Sequence, residues 1–244
     1  MRLIRYLLAL VPVLPLIANV FPPLTGIKNN PTTVKAMSSI PPPDINNNNS
    51  NKYFRWKLDN SGLIKEAFDE AIRGYDHLLH NNLITRPGLL TIIDYSKPSS
   101  QKRLFVIEME KGKILFRTLV AHARNSGYNY ATDFSNEEES HKSSLGFYIT
   151  LNTYTGANGY SLRLKGCEKG INDNAGERAI VMHGANYVSE TFIRNNGYLG
   201  RSYGCPAVPL GVHIKIIDKI KNGSCMFLYH PAKKYHTQSK ILGS

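Results

Sequence analysis

From residue 89 onward the chain is written as short apolar runs, rich in β-branched and aromatic residues and separated by turn-forming residues. Runs this short are poor helices, and their composition suits strands. Strands are expected over residues 89–95, 103–109, 113–121, 145–151, 160–164, 178–183 and 225–230. Glu110-Lys111-Gly112 supplies the turn of a hairpin between the second and third. Only two stretches carry helical spacing. Over residues 61–80, Leu63, Ile64, Ala67, Phe68, Ala71, Ile72, Tyr75, Leu78 and Leu79 fall on one face, with Asn60 or Ser61 as N-cap. Over residues 211–221, Val212, Ile216, Ile217 and Ile220 point inward. Strands greatly outnumber crossover helices, so the pattern predicts one mainly-β domain with peripheral helices, not a parallel α/β fold.

The rest of the chain divides around this domain. Arg2 and Arg5 precede an apolar run from Leu7 to Leu24 that prolines interrupt. The run is short for a bilayer and reads as a signal peptide or membrane anchor over residues 1–25. Residues 26–58 hold Pro41-Pro42-Pro43 and Asn46-Asn47-Asn48-Asn49 and read as a disordered linker. The domain itself is expected over residues 59–231, and residues 232–244 as a flexible basic tail. A net charge of +12 favours an anionic partner, such as a membrane surface or a cell-wall polymer. No recognition-helix or aromatic RNA-binding signature accompanies it, so nucleic acid is not the expected partner. Oligomeric state is not legible.

Two compact motifs carry chemistry. One is Ala179-Ile180-Val181-Met182-His183-Gly184-Ala185, a histidine ending an apolar strand. The other is Arg201-Ser202-Tyr203-Gly204-Cys205-Pro206, a thiol on a tight turn. A free thiol is only slightly ionised at neutral pH, and a neighbouring imidazole can remove its proton during attack. Gly204 permits the turn, and the N–H groups of Tyr203, Gly204 and Cys205 would face a developing oxyanion. Pro206 has no N–H and stiffens the exit. The pairing points to nucleophilic acyl transfer by Cys205 with His183 as base. Rivals are weaker. A zinc site of His183, Cys205 and His213 lacks a second close ligand pair, and a redox site would need Cys-x-x-Cys. No metal or cofactor is therefore expected. The three cysteines are Cys167, Cys205 and Cys225. A disulfide between Cys167 and Cys225, or two buried thiols, would both leave Cys205 free.

Residues from about 89 to 229 resemble the L,D-transpeptidase (YkuD-type) catalytic domain family, closest to its divergent murein branch. The resemblance is carried by Val120-Ala121-His122-Ala123-Arg124-Asn125-Ser126-Gly127, by Phe134-Ser135-Asn136 with Ser143-Ser144-Leu145-Gly146-Phe147-Tyr148, and by Gly159-Tyr160-Ser161-Leu162-Arg163-Leu164. The most specific blocks are Arg178 to Ala185 and Gly200 to Pro206. The N-terminal segment implies export to the periplasm or cell envelope, and the resemblance implies a β-sandwich-like catalytic domain acting on peptidoglycan stem peptides. It has an N-terminal amphipathic helix and a short helix after the cysteine. It implies Cys205 as nucleophile, His183 as base, the Gly184 carbonyl as orienter of the imidazole, and Ser202 and Gly204 as shapers of the turn.

The chain departs from the commoner family pattern at two places. Tyr203 stands where a histidine is usual, and Pro206-Ala207-Val208-Pro209 follows the cysteine in place of an early Arg or Asn. Arg201 or Arg163, with Ser202, would then contact the substrate, because a guanidinium matches a carboxylate in bidentate fashion. His122 reads as a satisfied structural histidine. Three outcomes stay open: transfer of the acyl group to an amine, transfer to water as an L,D-carboxypeptidase or hydrolase, and a wall-binding module without catalysis.

Overall fold

The computed structural model describes residues 52–243. The expected signal or anchor, most of the expected linker and the final residue lie outside that range. Eight strands form one hydrogen-bonded sheet. They are β1 (Leu89–Asp94), β2 (Leu104–Glu108), β3 (Lys113–Thr118), β4 (Gly146–Gly156), β5 (Gly159–Gly166), β6 (Val181–Ala185), β7 (Ala207–Pro209) and β8 (Cys225–Tyr229). Their order is β3-β2-β1-β8-β4-β5-β6-β7. Every pairing is antiparallel except β1 with β8 and β6 with β7. The mainly-β expectation holds. All seven strands read from the sequence are present, with ends that differ by a few residues.

The central strands β1 and β8 are buried along their whole length, as their continuous Leu, Ile and Phe content requires. One face is covered by α1 (Lys65–His80), which packs on β1 and β8. Its buried stripe is Ala67, Phe68, Ala71, Ile72, Tyr75 and Leu78. Burial of each large apolar side chain contributes roughly 1.5–3 kcal/mol. Leu79, expected inward, is 38% exposed. The helix also begins later than its apolar pattern suggests. Leu58–Ser61 forms a separate 3-10 turn, in which Ser61 Oγ donates to Leu58 O at 2.5 Å and accepts from Leu63 N at 3.2 Å. Ser61 thus closes that turn, and Ile64 stands at the N-cap of α1 without a side-chain bond.

Besides short 3-10 turns and a helical turn at residues 52–55, which corrects the expectation of a disordered linker there, three elements are not expected from the sequence. Helix α2 (Glu190–Asn196) starts at Ser189, whose hydroxyl accepts from Phe192 N at 3.2 Å, and stops at Gly197 with φ 81°. Strand β7 is only three residues long. Helix α4 (Lys233–Gln238) corrects the expectation of a loose tail. Its Tyr235 is 3% exposed and donates to the buried Glu168 at 3.2 Å, and Ser239 Oγ donates to the same carboxylate at 2.5 Å. The chain end docks because Glu168 offers a buried acceptor that these two hydroxyls satisfy. The helix expected over residues 211–221 is present as α3 (His213–Ile220), with Ile216, Ile217 and Ile220 buried. Cys167, just past β5, and Cys225, on β8, are free thiols on either side of β4.

Gly74 sets how closely α1 approaches the sheet. A Cβ there would lie 1.9 Å from the ring of Phe147, which is stacked on Phe227 at 4.2 Å and cannot retreat. Gly74→Ala should therefore destabilise the fold by about 1–3 kcal/mol through overpacking, although alanine is the better helix former by about 1 kcal/mol. Urea denaturation reads the change, and an alanine variant as stable as the parent would contradict it.

Candidate active site

The register of β6 between its neighbours builds the site. His183 lies opposite Ser161 on β5 and opposite Ala207 on β7. Cys205 is two residues before Ala207, so the parallel β6–β7 pair brings the cysteine turn alongside the histidine strand. His183 is 4% exposed, and its Nδ1 lies 2.9 Å from Gly184 O. A carbonyl only accepts, so Nδ1 carries the proton and Nε2 keeps its lone pair. Burial lowers the pKa of His183, the Gly184 carbonyl opposes that shift, and His213 adds to it. The imidazole is a neutral base at neutral pH. Gly184 must be glycine because a Cβ there would lie 2.6 Å from the ring of His213.

The cysteine turn is held from within. Ser202 Oγ donates to Cys205 O at 2.6 Å and accepts from Gly204 N at 3.1 Å. Gly204 has φ 140°, and a Cβ there would lie 2.4 Å from Ile180 Cδ1. Both facts exclude a side chain at this position. Two expectations change here. Ser202 has no hydroxyl proton left for a substrate, so it is a staple of the turn. The Gly204 N–H already has an acceptor and drops out of the oxyanion set. Tyr203 N–H has no acceptor among the described residues, and Cys205 N–H has only its own sulfur.

The sulfur is not hydrogen-bonded to His183. It accepts from Val181 N at 3.4 Å and donates to Ala179 O at 3.7 Å. Ala179 has φ 50°, a left-handed conformation that turns its carbonyl toward the thiol. Burial pushes the Cys205 thiol up, and Val181 N–H and the Arg178 guanidinium oppose that rise. The resting pair is a neutral thiol and a neutral imidazole, not an ion pair.

Arg178 is a residue that the sequence reading quoted without a role. Its Nη1 donates to Ser135 O at 2.8 Å and Ser144 Oγ at 2.5 Å, and its Nη2 to Lys142 O at 2.6 Å. It ties the 135–144 loop to the site and sets a positive charge near the sulfur. The signal in the sequence was a basic residue at the entrance of the histidine strand.

The two arginines expected at the substrate stand differently. Arg163, opposite Val181 on β5, lies over the Tyr154 ring of β4 at 4.3 Å. Arg201 donates through Nη1 to Arg124 O at 3.2 Å and Gly127 O at 3.0 Å, and lies over Tyr128 at 4.3 Å. His122 is structural, as expected. Arg103 Nη2 donates to its Nδ1 at 2.7 Å, its Nε2 lies 3.3 Å from Gly127 O, and burial lowers its pKa to about 3. Among the described residues no group of three or more His, Cys, Asp or Glu could hold a metal, and no helix is long and apolar enough to cross a membrane.

Ser202→Ala would leave Gly204 N–H and Cys205 O without their shared partner. It should lower stability by about 1–3 kcal/mol, read as a shift in the urea midpoint. An unchanged midpoint would remove the staple from the account.

Comparison with known proteins now bears on the site. Residues 59–229 match the family described as L,D-transpeptidase catalytic domain. No curated protein matches. Solved structures include an L,D-transpeptidase from Mycobacterium smegmatis, at 12% identity and TM-score 0.36, covering 59% of each chain. One from Mycobacterium tuberculosis is 12% identical at TM-score 0.38, covering 59% of this chain and 58% of the other. One from Enterococcus faecium is 13% identical at TM-score 0.36, covering 58% and 50%. The chain thus spans less than two thirds of the length of these structures. The family match takes in β1 through β8, with His183 and Cys205 inside it, and the chain belongs to the L,D-transpeptidase catalytic domain family.

Proposed function

We propose that the chain is an exported cysteine acyltransferase that modifies peptidoglycan stem peptides through a Cys205 thioester. Family membership supports the reaction class. The single observation that carries the residue roles is the His183 tautomer: its Nδ1–H is held by Gly184 O, leaving a basic Nε2 on the strand beside the cysteine turn.

The steps follow from that arrangement. The thiol leaves its bond to Ala179 O, a side-chain rotation that brings S–H toward His183 Nε2. Nε2 takes the proton as sulfur attacks the carbonyl carbon of the donor peptide. The oxyanion accepts from Tyr203 and Cys205 N–H. The tetrahedral intermediate collapses, the C–N bond breaks, and the imidazolium returns its proton to the departing D-amino acid. An acceptor amine then attacks the thioester, gives up a proton to Nε2, and frees the thiol. Water in place of the amine would make the same enzyme an L,D-carboxypeptidase or hydrolase. Residues 1–25 would direct export, as a cleaved signal or a retained tether to the membrane.

Incubation with tetrapeptide muropeptides tests this. Cross-linked dimers are expected, and Cys205→Ala should abolish them. Tripeptides alone would mean hydrolysis, and unchanged muropeptides would leave a binding module. The neutral resting pair also sets a pH profile. Because the pKa of His183 is lowered, its free base persists to lower pH, so the acid limb of kcat/KM should fall below about pH 6.5, the ordinary histidine value. A limb at or above that value would contradict His183 as the base.

A further inference from the structure

Next to the cysteine turn lies a cavity of about 270 Å³ bounded by Arg124, Phe192, Tyr198, Gly200, Arg201 and Tyr203. We propose that this cavity is a carboxylate-binding subsite, with Arg124 and Arg201 as its cations, that takes an acidic residue of the peptide substrate. The proposal rests on the peptidoglycan reading above and adds the part of the substrate that is recognised.

The backbone explains why two guanidinium groups meet there. Residues 121–124 run beside the cysteine turn: Ala121 N donates to Ala207 O at 2.8 Å, Ser202 N to His122 O at 3.1 Å and Arg124 N to Ser202 O at 2.8 Å. Arg124 therefore emerges beside Tyr203, with its guanidinium 5.5 Å from that ring and Nη1 donating to Tyr203 Oη at 3.3 Å. Arg201 reaches the same cavity from the turn itself, held over Tyr128 at 4.3 Å and Tyr198 at 5.6 Å.

Neither arginine has an acidic partner among the described residues. The four ion pairs among the described residues join Lys65 to Asp69, Lys142 to Asp133, Lys221 to Asp218 and His236 to Glu70. Two like charges at one cavity repel, and the fold gains no ion pair in return. Each arginine uses only Nη1 for hydrogen bonds within the described residues, which leaves Nε and Nη2 of both to donate to an anion. Stacking on tyrosine fixes the planes of these forks in advance, the condition for bidentate recognition of a carboxylate. The aromatic walls and small volume suit one amino-acid residue better than a sugar pair. Tyr203 is two residues from Cys205, so the cavity and the thiol share one turn.

The test uses the full chain carrying Cys205→Ala, so that nothing turns over, and reads the Tyr198 and Tyr203 ring resonances by NMR. The probes are glutarate, inorganic phosphate, a tetrapeptide stem, and the same stem with its carboxylates converted to carboxamides. The acid stem should shift both rings and bind roughly tenfold to a hundredfold more tightly than the amide. Arg124→Gln should erase that preference without weakening the amide, and Arg124→Lys should restore only part of it. Equal affinity for acid and amide, an Arg124→Gln variant that keeps the preference, or tighter binding of phosphate than of glutarate would each overturn the carboxylate subsite. Ring shifts with glutarate that Arg124→Gln removes, with no response to either stem, would uphold the carboxylate site and remove the peptidoglycan reading.

Discussion

The pairing of β6 with β7 is the constraint on which the site depends. It sets His183 opposite Ala207 and so fixes where Cys205, two residues earlier, meets the histidine strand. A parallel pair cannot be closed by a tight hairpin, and the connection here includes α2 and the Ser202-stapled turn. The three residues of β7 would make a weak edge alone. Ala121 bridges to Ala207 on the other side, so the strand is held from both flanks.

That second flank has its own anchor. Arg103 is fully buried and donates to Val120 O, Lys97 O and His122 Nδ1. A buried guanidinium persists only when its donors are satisfied, and these acceptors are supplied by main chain and a neutral imidazole. The same His122 gives its carbonyl to Ser202 N. A line of hydrogen bonds thus runs from the buried arginine through His122 to the turn that carries the thiol. Loss of that anchor would be felt at the cysteine without any contact between the two.

Much of the scaffold was legible because strands and helices announce themselves through periodicity. β1, β2 and β8 are continuous apolar runs, and the stripe of α1 from Ala67 to Leu78 is a helical pattern. The parts that were not legible depend on single polar contacts across long sequence separations. β7 is too short to carry a pattern, and α4 docks through contacts across long separations: Tyr235 and Ser239 donate to Glu168, and His236 meets Glu70. At the site, the glycines flanking both motifs pointed to His183 and Cys205. The spent hydroxyl of Ser202, the occupied N–H of Gly204 and the charge of Arg178 come from three-dimensional hydrogen bonding, which spacing does not encode. Arg124 was visible only as part of a motif block, and its role follows from the register of residues 121–124 against the turn.

The proposed function makes a specific demand: the acyl group would pass through the Cys205 sulfur, and the neutral thiol and imidazole would move the proton during attack. Intact-protein mass spectrometry after brief mixing with a tetrapeptide stem tests this most directly. The account predicts a single adduct equal to the stem less its terminal residue, located at Cys205 by peptide mapping and released by hydroxylamine. An adduct at another residue, or product formed with no sulfur-bound acyl group in the parent chain, would contradict it.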